Sequence, residues 1–333
     1  MKNKLPKVIV IVGTTASGKT ALSLKIAKKF NGEIVSADSR QIYRGMDIGT
    51  AKPTKEELKK IKHHLINIKN PRQDYSVGQY KKDALVAIRK ILKIGKLPII
   101  VGGTGLYVSA MVNNLDFPEV EENKKLRAKL EKEIKTKGLK YVFKKLVELD
   151  PESAYIVDPN NPRRVIRAME VAILTGQPFS SQRKSGPPLF DFLQIGLKIL
   201  PETLKEKIQK RTAQMIKNGL VEEVKKLVKK YGYKPKAFEA IGYREIIDFL
   251  RGKINLKEAE DLINKNTWHY ARRQMTWFRK DPAILWFDFK PVRSSLAEVL
   301  QTRAKGASET SNGANQKMAK KKVLRAISKF ILS

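Results

Sequence analysis

Apolar β-branched runs recur through the first third of the chain, each followed by a segment with helical spacing. Residues 8–12 are five consecutive apolar positions, the mark of a strand buried on both faces, and Ala21-Leu-Ser-Leu-Lys-Ile-Ala27 follows with helical periodicity. Residues 32–38 and 97–101 repeat the strand pattern, with a short strand over 64–68 and helical segments over 56–62 and 75–92. Alternation of this kind predicts an α/β parallel sheet. From about 115 to 194 the strand pattern stops. Residues 121–149 are charged and helical, with Leu126, Leu130 and Ile134 on one stripe and Val142, Phe143, Leu146 and Leu149 on another after Gly138. An all-helical insertion is expected there. Residues 192–200 return to a strand. One long helix is expected over 201–230, with Ile208, Met215, Leu220, Val224, Leu227 and Val228 facing the core, and 284–288 reads as a last strand. The core is thus expected from 1–114 and 195–294, the insertion from 115–194, and a basic tail from 295–333. Within the tail, 302–316 reads as disordered, and 317–332 as a basic amphipathic helix that could touch RNA or an anionic surface, with a solvated tail the expected outcome.

The chemistry sharpens this picture. Gly13-x-x-x-x-Gly18-Lys19-Thr20 joins the first strand to the first helix. Glycines let successive N–H groups turn inward, and the helix N-terminus adds a favourable field for an anion. Lys19 supplies a cation for a terminal phosphate, and the Thr20 hydroxyl can ligate Mg²⁺. A di- or triphosphate ligand is expected, on a P-loop NTPase-like parallel sheet flanked by helices. Asp38 ends the second strand, so it should face that ligand, unless it serves only as a cap. Where a nucleotide-hydrolysing motor carries an acid at the end of the 97–101 strand, this chain has Gly102-Gly103-Thr104. That argues against a motor, and less strongly against a small-molecule kinase. Glycine beside a hydroxyl suggests close approach of a flat or bulky acceptor. The His63-His64 pair is not a metal site, since adjacent strand residues face opposite ways.

Charge narrows the partners. The chain has 68 Lys and Arg against 33 Asp and Glu, a net +35, which points to RNA, DNA or an acidic membrane as a partner. Residues 268–280 interleave Trp and Tyr with Arg and Lys, as suits base stacking and phosphate contact, or else form an amphipathic core helix. Arg163, Arg164 and Arg167 form a second concentration, equally readable as a solvated face. Cys is absent, so no disulfide or thiolate chemistry is possible. No run is long enough to span a bilayer and no signal peptide is recognisable, so a cytoplasmic protein is expected.

Six segments together resemble the tRNA dimethylallyltransferase family over residues 8–288: the loop at 13–20, Ser36-Ala-Asp-Ser-Arg-Gln-Ile-Tyr43, Gly102-Gly-Thr-Gly-Leu-Tyr107, Asn161-Pro-Arg-Arg-Val-Ile-Arg-Ala168, Ala240-Ile-Gly-Tyr-Arg-Glu245 and Ala271-Arg-Arg-Gln-Met-Thr-Trp-Phe-Arg279. The resemblance implies alkyl transfer from dimethylallyl diphosphate to N6 of the adenosine 3′-adjacent to the anticodon (position 37). Gly13, Thr14, Thr15, Ala16, Ser17, Gly18, Lys19 and Thr20 would hold the diphosphate, with Mg²⁺ at Thr20. Asp38 would be the general base, Thr104 a partner of the target base, and Arg211 a diphosphate contact. By the same carry-over Asp38, Ser39, Arg40, Gln41, Thr104, Arg127, Arg163, Arg164, Val165, Ile166 and Arg167 would meet tRNA. Lack of Cys excludes the zinc finger of eukaryotic relatives and implies the bacterial type, expected to act as a monomer. A P-loop kinase explains the loop but not the charge. A non-catalytic RNA-binding protein gives no reason for Asp38 and Thr104 to accompany the loop.

Overall fold

The computed structural model describes residues 4–118, 120–182, 185–289 and 311–333. Its six strands are β1 (Lys7–Gly13), β2 (Gly32–Ala37), β3 (His63–His64), β4 (Leu97–Gly102), β5 (Asp191–Lys198) and β6 (Ile284–Asp288). They form one parallel sheet in the order β3-β2-β4-β1-β5-β6. β1 lies inside it, with Ile9 opposite Ile99 of β4 and Leu193 of β5, which is why Val8 to Val12 are all fully buried. The connections leaving β1 and β4 lead to opposite sides of the sheet, and in open α/β sheets such a switch point opens a crevice at the strand ends.

Two compact units divide the chain, Met1–Val108 with Leu189–Ser333, and Ser109–Pro188. In the first, α1 (Lys19–Lys29) buries Leu22, Ile26 and Ala27 against Ile9, Ile11, Ile34 and Ile99. α2 (Lys55–Lys60), α3 (Val77–Lys93) and α4, which begins at Gly105 and runs to Val112 (Gly105–Val112), follow. Capping boxes start α2 at Thr54 and α3 at Ser76. The second unit packs α5 (Lys124–Lys137), α6 (Leu139–Leu149), α7 (Ser153–Ile156) and α8 (Pro162–Thr175) around Leu130, Val142, Leu146, Val165 and Met169.

Three expectations are corrected. β3 is two residues long because Leu65 and Asn67 take positive φ (62° and 58°), which ends pairing. The long helix over 201–230 is two helices, α9 (Pro201–Lys217) and α10 (Leu220–Tyr231), separated at Gly219 with φ 95°. They serve different cores: α9 buries Leu204 and Ile208 under the sheet, whereas α10 buries Leu220, Val224 and Leu227 against Ile42, Met46 and Tyr243. One straight helix does not face both. Two further helices complete that second core, α11 (Tyr243–Leu250) and α12 (Leu256–Phe278).

The third correction concerns the tail. Residues 311–332 form α13 (Ser311–Leu332), including 311–316 that read as disordered, and the helix is not left in solvent. Ala319, Val323 and Ile327, four residues apart, sit in the sheet core, so burial of that stripe supplies the stability that composition alone did not predict. Lys7 Nζ donates to Ile331 O at 3.2 Å and Lys4 Nζ to Ser333 O at 2.6 Å, pinning its end. Residues 295–310 of the expected tail lie outside the described residues.

Candidate active site

β1 ends in the phosphate-binding loop. Gly13 has φ 145°, and a Cβ there would lie 2.9 Å from the Leu197 carbonyl, so only glycine fits between β1 and β5. Ser17 N–H donates to Thr14 O at 3.2 Å, closing the turn, and Ser17 Oγ is buried without a hydrogen-bond partner among the described residues. Lys19 Nζ donates to Gly13 O (3.0 Å) and Thr14 O (2.6 Å). Burial, reinforced by neighbouring Arg211 and opposed by Asp38, lowers the Lys19 pKa to about 7. Arg211 reaches the loop from α9, its Nη1 donating to Thr15 Oγ1 at 3.1 Å, and burial lowers its pKa as well. Two desolvated cations beside the glycine loop make a site for a multiply charged anion.

Asp38 lies immediately beyond β2, across this crevice. Its Oδ1 accepts from Arg40 N (2.8 Å) and Gln41 N (3.3 Å), so the carboxylate caps the turn while also lying in the field of Lys19 and Arg211. The capping and the functional reading hold together. Thr104, just past β4, donates its N–H to Ala37 O (3.2 Å), and its Oγ1 accepts from Ser39 N (3.1 Å). Thr104 therefore clasps the turn that carries Asp38. Gln41 uses its Nε2 on the Thr50 and Ala51 carbonyls and its Oε1 on Ser36 Oγ, which holds the same turn from behind.

Gly102, Gly103 and Gly105 are explained by the protein rather than by a substrate. A Cβ at each would strike Ala37 O (2.1 Å), Gln274 Nε2 (2.1 Å) and Trp277 Cδ1 (2.3 Å), respectively. The expected close approach is thus made by β2 and α12. Gln274, buried on α12, accepts the Thr15 N–H at Oε1 and donates from Nε2 to Gly103 O, both at 2.8 Å. One turn earlier, Tyr270 lies within hydrogen-bonding reach of Thr104 and Gln274 and near Asp38, and burial pushes its phenol up to about 12. Neither residue was singled out by sequence. Their signal was the four-residue spacing inside the basic-aromatic segment, which puts both on one helix face.

Comparison with known proteins settles the family of the chain. The family model described as IPP transferase matches residues 41–281, beginning beyond the phosphate loop. A protein of Caldanaerobacter subterraneus named tRNA dimethylallyltransferase is 46% identical over 314 residues, 90% of this chain and 99% of that one. The chain belongs to the tRNA dimethylallyltransferase family. Another relative of that name, from Acetivibrio thermocellus, is also 46% identical, over 85% of this chain and 92% of its own. The full-length tRNA isopentenylpyrophosphate transferase of Bacillus halodurans aligns with a TM-score of 0.64 and 38% identity, covering 96% of this chain and 99% of that one. A eukaryotic dimethylallyltransferase described as acting on tRNA aligns with a TM-score of 0.72 and 29% identity, over 90% of this chain and 77% of that one.

Within this family member, the residues expected to meet tRNA from the helical unit divide sharply. Val165 and Ile166 are 0% and 7% exposed and belong to the core of that unit, so their side chains are not a surface for RNA. Arg127 donates from Nε and Nη2 to Glu170 (2.9 and 2.7 Å) and Arg167 from Nη1 (2.6 Å). Both neutralise a fully buried carboxylate, and Glu170 stays below the usual carboxylate range because these hydrogen bonds outweigh its burial. Arg163 and Arg164 stand exposed at the start of α8. Trp268 packs against the sheet core beneath Lys205 (5.0 Å), and Trp277 lies over Gly105. Trp268 is thus a core contact of α12, whereas Trp277 is 38% exposed, and Arg272, Arg273, Arg279 and Lys280 are exposed as well.

The donor set fits Mg²⁺ held chiefly by phosphate oxygens. Among the described residues no group of three His, Asp or Glu can cage a metal, whereas Thr20 lies in the first turn of α1, directly after the phosphate loop.

Proposed function

We propose that the chain transfers a dimethylallyl group from dimethylallyl diphosphate to N6 of the adenosine 3′-adjacent to the anticodon of tRNA, giving N6-isopentenyladenosine and diphosphate. The observation that carries this reading is the pairing of Asp38 and Thr104, joined through the Ser39 amide, with the cationic phosphate loop across one crevice. The loop N–H groups, Lys19 and Arg211 bind the diphosphate and stabilise the charge it gains as the allylic C–O bond breaks. A bound anion supplies the opposite charge that Lys19 lacks, and so restores its protonated form. The adenine N6 lone pair forms the new C–N bond at the allylic carbon. Asp38 takes the N6 proton, since an exocyclic amine is a weak nucleophile until that proton leaves. Thr104 and Tyr270 orient the base toward Asp38. Thr20 would help hold Mg²⁺, which would supply charge neutralisation at the leaving group.

The target base lies in a loop and enters the crevice only when drawn out of its stack. Arg163 and Arg164 bind the RNA backbone from the helical unit. The protein acts as a cytoplasmic monomer; among the described residues no helix is long and apolar enough to cross a membrane. Incubation with labelled dimethylallyl diphosphate, Mg²⁺ and unmodified tRNA tests the reading. Label in N6-isopentenyladenosine supports it, and ATP consumption with a small acceptor and no label in RNA rejects it.

A further inference from the structure

α13 takes no part in the crevice, yet its composition is extreme. From Lys317 to Ser333 it carries six basic residues (317, 320, 321, 322, 325 and 329) and no acidic one. Its apolar side is already used. Ala319, Val323 and Ile327 are in the sheet core, and Leu324, Phe330 and Ile331 pack against it. Lys321, Lys322, Arg325 and Lys329 face outward. Residues 321, 325 and 329 lie along one line of the helix at intervals of about 6 Å, comparable with the separation of successive phosphates along an RNA strand.

The adjoining helix has the same character. α1 carries Lys19, Lys25, Lys28 and Lys29 and no acid. Lys25 and Lys320 are close enough to disfavour each other's charge: the Lys320 ammonium is held below its ordinary value, by burial first and by Lys25 second. Other surface helices of the same unit balance their lysines, as Lys225 does with Glu222 and Lys257 with Asp261. Like charges packed side by side destabilise a fold unless an anion answers them.

We propose that the outer face of α13, together with Lys25, Lys28 and Lys29 of α1, is a second RNA-binding surface that grips the phosphate backbone of the tRNA substrate. This rests on the function proposed above for its choice of RNA. A lipid surface fits less well, because an interfacial helix needs its apolar side to enter the bilayer. Here that side is buried on the sheet, leaving Met318 and Leu332 as the only large exposed apolar residues among the described side chains of the helix. The Lys4 and Lys7 contacts place the end of α13 beside the start of β1, whereas the phosphate loop follows its other end, roughly 20 Å along the strand. The surface therefore engages tRNA away from the reacting base.

The test uses the full chain with Lys321, Arg325 and Lys329 all changed to Ala. Binding of unmodified full-length tRNA is measured across a salt series, alongside transfer to an anticodon stem-loop. The proposal expects tRNA affinity to fall roughly tenfold at low salt and the log–log salt slope to flatten by about two to three. The unfolding midpoint and stem-loop transfer should be unchanged. A K321E/R325E/K329E variant should bind tRNA more weakly still. Unchanged tRNA affinity and slope in both variants overturns the proposal. Binding of anionic phosphatidylglycerol vesicles that is lost in the variants, with tRNA binding intact, overturns it in favour of a lipid surface. If the unaltered protein transfers label to neither RNA, the proposed reaction fails, while the binding comparison still decides the surface.

Discussion

Gln274 holds the Thr15 amide at 2.8 Å although the two are 259 residues apart in sequence. The other end of the same carboxamide donates to Gly103 O, next to Thr104. A single side chain of α12 thus ties the phosphate loop to the end of β4 that carries Thr104, and fixes their separation. Reaction between two bound substrates depends steeply on such separation.

Gln274→Ala strands a buried amide and a buried carbonyl, at a cost of about 1–3 kcal/mol for each group left unsatisfied. A lower unfolding midpoint is expected. Gln274→Glu keeps the acceptor for Thr15 but loses the donor to Gly103 and adds negative charge beside the phosphate loop. Its KM for dimethylallyl diphosphate should rise roughly tenfold or more, by the energy of a charge-assisted contact, with the tRNA KM little changed. Steady-state kinetics in both substrates check this.

Asp38→Asn preserves the oxygen that caps Arg40 and Gln41 but cannot accept a proton. Turnover should fall by about 10²–10⁴, while tRNA affinity stays near that of the unaltered protein. Single-turnover rates and filter binding separate the two. Equal loss of both would move Asp38 from proton acceptor to binding group.

Thr104→Ala leaves the Ser39 amide without its acceptor and frees the turn bearing Asp38, so kcat should drop. Thr104→Ser restores the hydroxyl and should recover most of the activity. Failure of Ser to rescue would show that the methyl group, rather than the hydroxyl, positions the base.

Arg164→Ala and Arg127→Ala should differ in kind. The first removes an exposed cation, so tRNA binding weakens and its salt slope flattens by about one. The second leaves Glu170 buried with Arg167 as its remaining cation and destabilises the helical unit by about 3 kcal/mol. Thermal unfolding alongside salt-dependent binding distinguishes them.

Acid stability is carried in part by Glu33. Its buried carboxylate accepts from His64 Nε2 (2.7 Å) and Lys96 Nζ (2.8 Å). Burial alone would raise its pKa, but the Lys96 and His64 bonds hold it below the ordinary value. The unfolded chain therefore binds the proton more readily, and stability rises with pH through this window. The contribution is complete above about pH 5 and is lost as pH falls through the folded-state value. Glu33→Gln should be less stable at neutral pH and lose less on acidification, as read by denaturant midpoints between pH 7 and 3.

Much of the catalytic crevice was legible because its signals are local. An apolar β-branched run, a glycine turn and helical spacing specify β1, the phosphate loop and α1 within about twenty consecutive residues, and strand ends in a parallel sheet direct Asp38 and Thr104 to the same side. Arg211 came from resemblance, and only the fold shows α9 carrying it to Thr15. Gln274 and Tyr270 stayed hidden, since a polar residue inside a charged amphipathic helix shows nothing of the loop it will meet. The same holds for the pairing of Arg127 and Arg167 with Glu170, which no local pattern shows until Glu170 is seen buried between them. Composition also misread the tail: the stripe of Ala319, Val323 and Ile327 gains its stability only from a sheet surface built by residues hundreds of positions earlier. The sequence by itself determined the sheet, the loop and the placement of Asp38 and Thr104 at the strand ends, because these follow from short-range periodicity and backbone geometry. Tertiary structure alone decided which charged and polar side chains face inward, because that depends on packing partners distant in the chain.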